Sequence, residues 1–307
     1  MTNEEIPAFQ PLTGIYEPSA IQQLTDGRFL VVEDEQDQPL SLVVIGADGS
    51  VCATALKPGL LQLFSSFWKL DDLEGLALDQ TGQVYAITSH SRDDEGDEKK
   101  SREKLVRFRI EGNRVVDPRL VDGLKKALTT RHAVLAAAAQ VRDVKAGGGL
   151  NIEALEISPD QKRLLVGFRS PLLEGRALVA SVENPAAIFE SNEAPRIAPV
   201  LEELDLGGHG IRGLSWVPAM NAYLVNGGPA SREKAEFDLW RWSGLPGSPA
   251  QRVTVPGLNG LAKAEGVSPA VVGGKVRIVI VSDDGDRDAG RFASYLLLDP
   301  AQLQIAA

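Results

Sequence analysis

The chain has 307 residues, of which 43% are hydrophobic and 24% charged, and these proportions are those of a globular protein with a large buried core. Its net charge of −10 argues against nucleic-acid binding, because contact with phosphates needs a basic surface. The single cysteine, Cys52, excludes an intramolecular disulfide and a thiolate metal cluster, and its neighbours predict that it is a buried strand residue.

The N-terminal segment MTNEEIPAFQPLTG is acidic and lacks the apolar core of a secretory signal. No run of the sequence approaches the roughly 18 apolar residues that a membrane-spanning helix needs. We therefore expect a soluble, cytoplasmic protein without a membrane partner.

One sequence pattern occurs five times along the chain. The copies are YEPSAIQQLTDGRFLVVEDE at 16–35, LEGLALDQTGQVYAITSHS at 73–91, IEALEISPDQKRLLVGFRS at 152–170, IRGLSWVPAMNAYLVNGG at 211–228 and AEGVSPAVVGGKVRIVIVSDDG at 264–285. Each copy reads as strand, turn and strand, and another apolar strand follows it. Antiparallel units repeated at a fixed spacing are typical of a β-propeller.

The spacing of the copies predicts how the chain closes. The same place in the five copies is taken by Glu17, Glu74, Glu153, Arg212 and Glu265. Counting from Glu265 through the C-terminus and on to Glu17 gives 59 residues, which is close to the usual spacing between copies. This agreement predicts a closed ring whose last blade is completed by residues near 9–16. We predict an all-β fold, a single closed β-propeller domain over 1–307. Five blades are expected, with six as the alternative if 55–70 and the insertion described next hide a degenerate copy.

One step, from the second copy to the third, is about 20 residues too long. The surplus lies in VDGLKKALTTRHAVLAAAAQVRDVK at 121–145, whose alanines and leucines at helical spacing predict a helical insertion near 119–146. We expect it to be a structural cover or a dimer contact. The preceding run RDDEGDEKKSREK at 92–104 reads as a solvated charged segment, too polar to pack, and forms either a mobile loop or a lid.

The first strand of each propeller blade lines the central channel, so the residues at the repeated place should meet there in a ring. The second strands should end at the same mouth of the channel, in Asp34, His90, Arg169, Asn226 and Asp283. His209, in the glycine-rich segment GGHGIRG, precedes Arg212 and joins this set. Two interpretations stay open for the ring: a salt-bridge network centred on Arg212, or a hard cation such as calcium held by the carboxylates.

The segment SDDGDRDAG at 282–290 is similar to an oxygen-rich calcium loop through Asp283, Asp284 and Asp286. It lacks the glutamate that would complete an EF-hand. A tight turn with exposed aspartates explains the segment equally well.

Four of the copies, EGLALD…VYAITSHS, NIEALEISPD…LLVGFRSPL, GIRGLSWVP…YLVNGGP and AEGVSP…IVIVSDDGD, together resemble an uncharacterised bacterial family of propeller-like domains of unknown function. More distantly, Glu265 and Asp283 match the "EG…SD" form of the esterase-like phytase propellers. That resemblance implies hydrolysis of phosphomonoesters or esters at the channel mouth, often with calcium. The other copies end in His, Arg or Asn and therefore do not match this form.

Two functions follow as hypotheses, both with a small-molecule partner. In the first, the mouth binds a small polar or anionic ligand through Arg169, Arg212 and His90. The other residues expected around such a ligand are Asn226, His209, Glu17 and Asp34. In the second, a metal held by carboxylates activates water in a hydrolase, and a proton is moved by one of four side chains. These are His90, Glu74, Glu153 and Glu265, with Asp283, Asp284 and Asp286 as the metal ligands.

Overall fold

The computed structural model describes residues 7–34, 39–59, 65–143, 148–231, 236–258, 260–261 and 263–306. Within these ranges the chain forms five antiparallel sheets, which are the five blades of a β-propeller. The innermost strand of each blade contacts the innermost strands of the two neighbouring blades, so the ring is closed. The predicted all-β fold and the count of five blades are confirmed.

The strands of each blade are named here from the centre outwards. Blade 1 has β2 (Pro18–Gln23), β3 (Phe29–Glu33), β4 (Leu40–Ile45) and β5 (Val51–Ala55). Blade 2 has β6 (Leu73–Leu78), β7 (Val84–Thr88), β8 (Leu105–Glu111) and β9 (Arg114–Val121). Blade 3 has β10 (Asn151–Ile157), β11 (Leu164–Ser170), β12 (Ala177–Val182) and β13 (Glu202–Leu204). Blade 4 has β14 (Gly210–Val217), β15 (Ala222–Gly228), β16 (Asp238–Trp242), β17 (Gln251–Thr254) and β21 (Gln304–Ile305). Blade 5 has β18 (Ala264–Val272), β19 (Lys275–Ser282), β20 (Ser294–Leu298) and β1 (Gln10–Pro11).

The ring closes with the N-terminal segment, as the spacing of the copies predicts. In β1, Gln10 pairs with Tyr295 and Pro11 with Ser294, which makes β1 the outer strand of blade 5. Leu12 and Ile15, just beyond β1, are fully buried in the apolar cluster between blades 5 and 1. The pairing of β21 with β17 at the outer edge of blade 4 has no counterpart in the sequence-based expectations.

The core is divided among the blade interfaces, with one apolar cluster between each pair of neighbouring blades. Burial decreases outwards, so β3 and β7 are buried along their whole length whereas β5 alternates between exposed and half-buried residues. Cys52 lies in β5 with its side chain exposed, and the prediction of a buried cysteine is therefore wrong.

The helices are α1 (Leu124–Arg131), α2 (Ala133–Ala138) and α3 (Pro185–Glu190), with short 3-10 helices at Ser66–Lys69, Lys100–Arg102, Pro218–Met220 and Pro300–Gln302. Both α1 and α2 lie in the predicted insertion, and their buried leucines close the interface of blades 2 and 3. Residues 119–121 belong to β9, and residues 144–146 lie outside the described ranges. No helix in those ranges is both long and apolar enough to cross a membrane.

The alternative of six blades is wrong for the part of the chain that the structure describes. Residues 51–55 form β5 of blade 1, and the segment after it contains a 3-10 helix at Ser66–Lys69. Residues 60–64 lie outside the description. No sixth sheet is formed by the described residues.

Candidate functional site

A register shift occurs at the same place in all five inner strands. The shifts lie at Pro18/Ala20, Leu73/Gly75, Ile152/Ala154, Ile211/Gly213 and Ala264/Val267. The residues released from the ladder at these places are Ser19, Glu74, Glu153, Arg212 and Glu265, the last together with Gly266. A β-bulge turns a side chain away from its regular direction, and all five of these side chains line the channel. This is why a glutamate stands at the start of an apolar strand.

The prediction for blade 1 is wrong by two residues. Ser19, and not Glu17, occupies the bulge that corresponds to Glu74 in the next blade. The Glu17 side chain still lines the channel, because it lies just before β2.

The residue after each bulge is small, because the neighbouring blade approaches it closely. Ala20, Gly75, Ala154, Gly213 and Gly266 stand at these positions. A Cβ atom on Gly75 would lie 2.7 Å from the backbone nitrogen of Leu155 in blade 3, and one on Gly266 would lie 2.7 Å from that of Ile21 in blade 1. Each copy therefore combines a residue that faces the channel with a small residue that allows the inner strands to meet.

The channel holds a cavity of about 240 Å³ with a strongly charged wall. Its lining residues are Glu17, Ser19, Asp34, Glu74, Glu153, Arg169, Arg212, Glu265 and Asp283. A second cavity of about 480 Å³ lies at the mouth and shares Asp34, Glu74, Glu153 and Arg169 with the first. We call these four shared residues the neck. All five blades contribute to the channel wall, so the predicted ring exists.

One part of the wall, which we call the arginine half, consists of Glu153, Arg169, Arg212 and Glu265. The Nε atom of Arg212 donates to Glu265 Oε2 at 2.9 Å, and its second nitrogen pairs with the other oxygen of Glu265. Glu153 Oε2 lies 2.7 Å from the same Nε atom, and Arg169 donates to Glu153 Oε1 at 3.0 Å. Both guanidinium groups are therefore occupied by glutamates of the channel itself.

Burial and the ion pairs act in opposite directions on the pKa values of Arg212 and Glu265. Burial alone would lower the pKa of Arg212, but the carboxylates of Glu153 and Glu265 outweigh it and raise that pKa. Burial raises the pKa of Glu265 to about 7, although Arg212 opposes the shift. Arg212 remains charged at every physiological pH.

The rest of the wall, the acid half, consists of Glu17, Asp34, Glu74 and Asp283. Within the described ranges, Glu17, Asp34 and Glu74 form no ion pair within 4.0 Å, and Asp283 has only Lys263 Nζ at 3.9 Å. Burial raises the pKa of Glu74 well above its usual value, and the nearby carboxylates of Glu153, Asp72 and Asp34 raise it further. Burial and the neighbouring Asp72 raise the pKa of Asp34 to about 8. At neutral pH the Asp34 carboxyl group therefore holds a proton in most molecules.

Asp72 and Arg102 belong to the mouth and were missed by sequence reasoning. Asp72 has a left-handed backbone with φ 64°, and its Oδ2 atom accepts from the hydroxyls of Ser89 and Ser91. Arg102 lies 3.2 Å from the same oxygen and also bonds Asp71. The only signal in the sequence is that Asp71 and Asp72 directly precede the second copy, whose last residues are Ser89, His90 and Ser91.

Five of the predicted site residues line neither cavity: His90, His209, Asn226, Asp284 and Asp286. His90 is fully buried behind the mouth, where its Nδ1 atom bonds the Thr88 carbonyl at 2.8 Å and burial lowers its pKa to about 4. His209 lies 3.7 Å from Asp238. Asn226 is buried and donates to the Glu265 carbonyl at 2.6 Å, so it joins blade 4 to blade 5.

The aspartates of the predicted calcium loop are not brought together. Asp283 faces the channel, whereas Asp284 accepts from the backbone and the hydroxyl of Ser294, at 2.8 Å each. Asp286 accepts from the Ala289 backbone at 2.9 Å in a surface turn. Among the described residues, no group of three or more His, Cys, Asp or Glu side chains is arranged to hold a metal ion.

The charged segment 92–104 packs against the helical insertion. Arg92 donates to the Ala139 carbonyl at 3.1 Å, and Arg142 bonds Asp97 at 2.8 Å. Lys125 bonds Glu103 at 2.6 Å. The expectation that this segment is too polar to pack is wrong, because ion pairs with the insertion hold it. It forms one wall of the mouth cavity.

These features define a five-bladed propeller with a charged central channel. The chain belongs to the family described as "Protein of unknown function (DUF3616)", whose model matches residues 122–288. The expected membership of an uncharacterised propeller family is thereby confirmed. No curated protein matches the chain.

Several solved structures are similar to the chain at low identity. The PQQ domain of pyranose dehydrogenase from Coprinopsis cinerea is 9% identical, covers 96% of this chain and 98% of its own, and has a TM-score of 0.49. The PQQ-bound aldose sugar dehydrogenase from Streptomyces coelicolor is 14% identical, with coverages of 97% and 98% and a TM-score of 0.46. A gluconolactonase from Xanthomonas campestris is 12% identical, with coverages of 99% and 93% and a TM-score of 0.43. Such distant similarity gives no information on activity, and the resemblance to phytase propellers stays a prediction.

Proposed function

We propose that the protein is a binding propeller whose channel receives the positively charged group of a small polar ligand. The observation that supports this most directly is Glu74, a carboxyl group inside the channel with no cation within ion-pair distance among the described residues. A buried carboxylate without a partner is costly, so a site of this kind gains most from a cation.

The charges of the channel wall favour a cation over an anion. Six carboxyl groups and two guanidinium groups line the inner cavity. Both guanidinium groups are engaged by Glu153 and Glu265, and His90 does not line the channel. An anionic ligand bound through Arg169, Arg212 and His90, as the sequence suggests, would have to displace these ion pairs.

Binding of a cation should release protons, because it favours the ionised forms of Glu74 and Asp34. The pKa of Asp34, about 8, places this release near neutral pH. Affinity should therefore increase as the pH rises from 6 towards 9.

The test is calorimetric titration with n-butylamine and with calcium chloride as separate probes, in two buffers of different ionisation enthalpy. We expect one of the probes to bind with release of protons at pH 7, and Glu74→Gln to weaken binding at least about tenfold. Glu156→Gln is the matched control, because Glu156 is also a glutamate of an inner strand but is buried between blades 3 and 4, where it accepts from Ser215 and Trp216. Failure of both probes, or equal affinity of the Glu74 variant, would contradict the proposal.

A second candidate is a hydrolase that uses the neighbouring carboxyl groups Asp34 and Asp72. Asp72 Oδ2 accepts from the hydroxyls of Ser89 and Ser91 and lies 3.2 Å from Arg102, whereas the pKa of Asp34 is raised to about 8 by burial and by Asp72. One group can then accept a proton from water while the other gives a proton to the leaving group. The described carboxylates form no metal-ligand group, so this candidate does not assume a bound calcium ion, and the calcium content is measured instead.

Turnover of p-nitrophenyl phosphate and p-nitrophenyl acetate, together with the metal content of protein purified without chelator, tests this candidate. Activity that Asp34→Asn abolishes would support it, with or without a bound metal. Absence of turnover of both esters removes it.

A further inference from the structure

We infer that the cation is a primary ammonium group, which binds at the neck between the channel and the mouth cavity. This inference rests on the proposed function, and it specifies the class of ligand. Its main observation is one oxygen atom, Glu153 Oε2. Glu153 is 3% exposed, yet this oxygen accepts no hydrogen bond from any described residue.

The nearby Arg212 does not satisfy that oxygen. Its Nε atom lies 2.7 Å away, but the single hydrogen on Nε is donated to Glu265 Oε2 at 2.9 Å. The other carboxyl oxygen, Glu153 Oε1, already accepts from Arg169 and from Asn151, each at 3.0 Å. Glu153 therefore has a charge partner but lacks a donor for Oε2. A buried acceptor of this kind is rare in folded proteins unless a ligand or water completes it.

The neck gathers suitable acceptors from three blades. Asp34 from blade 1, Glu74 from blade 2 and Glu153 from blade 3 all line both cavities. Each offers a carboxyl group to the same narrow region. A primary ammonium carries three N–H donors on one charged nitrogen, which matches three acceptors from three directions. The rest of the ligand would then extend into the mouth cavity of about 480 Å³.

Other cations fit the neck less well. A quaternary ammonium has no N–H to give to Glu153 Oε2, and it is usually held by aromatic rings. The described residues that line the two cavities include no aromatic side chain. A divalent metal ion such as calcium needs several oxygen ligands at about 2.3–2.6 Å, and the described side chains form no group so arranged, whereas the N–H···O contacts of an ammonium are longer, at about 2.7–3.2 Å.

The experiment measures the affinity of the wild-type protein for n-butylamine and for its N-methyl, N,N-dimethyl and N,N,N-trimethyl derivatives. These probes keep the positive charge and remove the N–H donors one at a time. We expect the dissociation constant to increase at each step, to a total of at least about a hundredfold for the trimethyl compound. Because no mutation is involved, the result cannot arise from misfolding.

Two variants and two further probes complete the design. Asp34→Asn should weaken binding of n-butylamine at least about tenfold, whereas Asp286→Asn, in a surface turn outside both cavities, should leave it unchanged. Equal affinity for the four amines would overturn the primary-ammonium inference but leave cation binding intact. Stronger binding of n-butylguanidinium or of calcium than of n-butylamine would overturn it as well. If no cation binds, the proposed function fails together with the inference.

Discussion

The two halves of the channel wall have similar residues but opposite electrostatic states. In the arginine half, two glutamates are matched by two guanidinium groups at distances of 2.7–3.0 Å. In the acid half the described carboxyl groups are less buried than Glu153 and Glu265, and the pKa values of Asp34 and Glu74 are raised, that of Asp34 to about 8. The first arrangement stabilises the folded chain by itself, and the second is stabilised by protons. The repeat thus supplies carboxyl groups to the channel, and two arginines, Arg169 and Arg212, determine which of them form ion pairs.

The largest effect should come from opening the ring beside the acid half. Deletion of residues 1–16 removes β1 together with Leu12 and Ile15, both of which are fully buried between blades 5 and 1. Losing two buried aliphatic side chains and uncovering β20 should lower the free energy of unfolding by more than about 5 kcal/mol. Thermal and urea denaturation measure this.

A shorter deletion of residues 1–6 is the control, since these residues precede the closing strand. It should leave the melting temperature unchanged. If the longer deletion also left the free energy of unfolding unchanged, the ring would close without β1. The acid half would then be stable without the strand that completes blade 5.

The next effect concerns the arginine half. Arg212→Ala leaves the buried carboxylates of Glu153 and Glu265 without their main partner, and we expect a loss of about 3–5 kcal/mol at pH 8. The loss should be smaller at pH 5.5, because the pKa of Glu265 is already about 7 and rises further without the guanidinium, so that protonation removes the repulsion. Urea denaturation at the two pH values gives both numbers.

Arg241→Ala, on the outer part of the same blade, is the control and should change stability by no more than about 0.5 kcal/mol. A similar small change for Arg212→Ala at pH 8 would contradict the division of the wall into two halves.

The smallest effect has the opposite sign and belongs to the acid half. The pKa of Glu74 is higher in the folded than in the unfolded chain, so its contribution to stability falls as the pH rises from about 4.5 to the folded value. The Gln side chain of Glu74→Gln cannot ionise, so this variant should be more stable than the wild type at pH 8, with a higher melting temperature. At pH 4.5 the difference should vanish.

Glu156→Gln sharpens the contrast. The pKa of Glu156 is raised to about 7 by burial, but its carboxylate accepts from Ser215, Trp216 and Ile157. Replacing it should therefore lower stability at pH 8. A loss of stability in both variants would mean that Glu74 has a partner within the channel, which would contradict the acid half as defined here.

The sequence permits prediction of the architecture because the fold repeats. Five copies, their spacing and their turns are visible without tertiary information, and the closure by residues near 9–16 follows from the same count. Ser19 was missed because the first copy has a glutamate two residues earlier. The pair of a channel residue and a small residue, as in Glu74-Gly75 and Arg212-Gly213, identifies the correct position in all five copies.

The remainder of the site could not be predicted because it depends on backbone direction and on long-range contacts. His90 follows β7 by two residues, but its left-handed backbone, φ 57°, places it behind the mouth and not in it. Asp72 and Arg102 are 30 residues apart in the sequence and meet only through the loops of blade 2. The arginines read as anion-binding groups in the sequence, and only the distances to Glu153 and Glu265 assign them to ion pairs.

The bulge in each inner strand has a consequence for how such a channel can change during evolution or design. The released residue makes no ladder pairing, and the packing constraint falls on the small residue after it. Five positions around one axis, each supplied by its own blade, thus set the charge of the channel: Ser19 and Glu74 can be varied singly, whereas Glu153, Arg212 and Glu265 form ion pairs and must be varied together. A library that varies only these five positions would change the charge and the hydrogen-bonding groups of the channel, while the blades, their small residues and the closing strand keep their sequence.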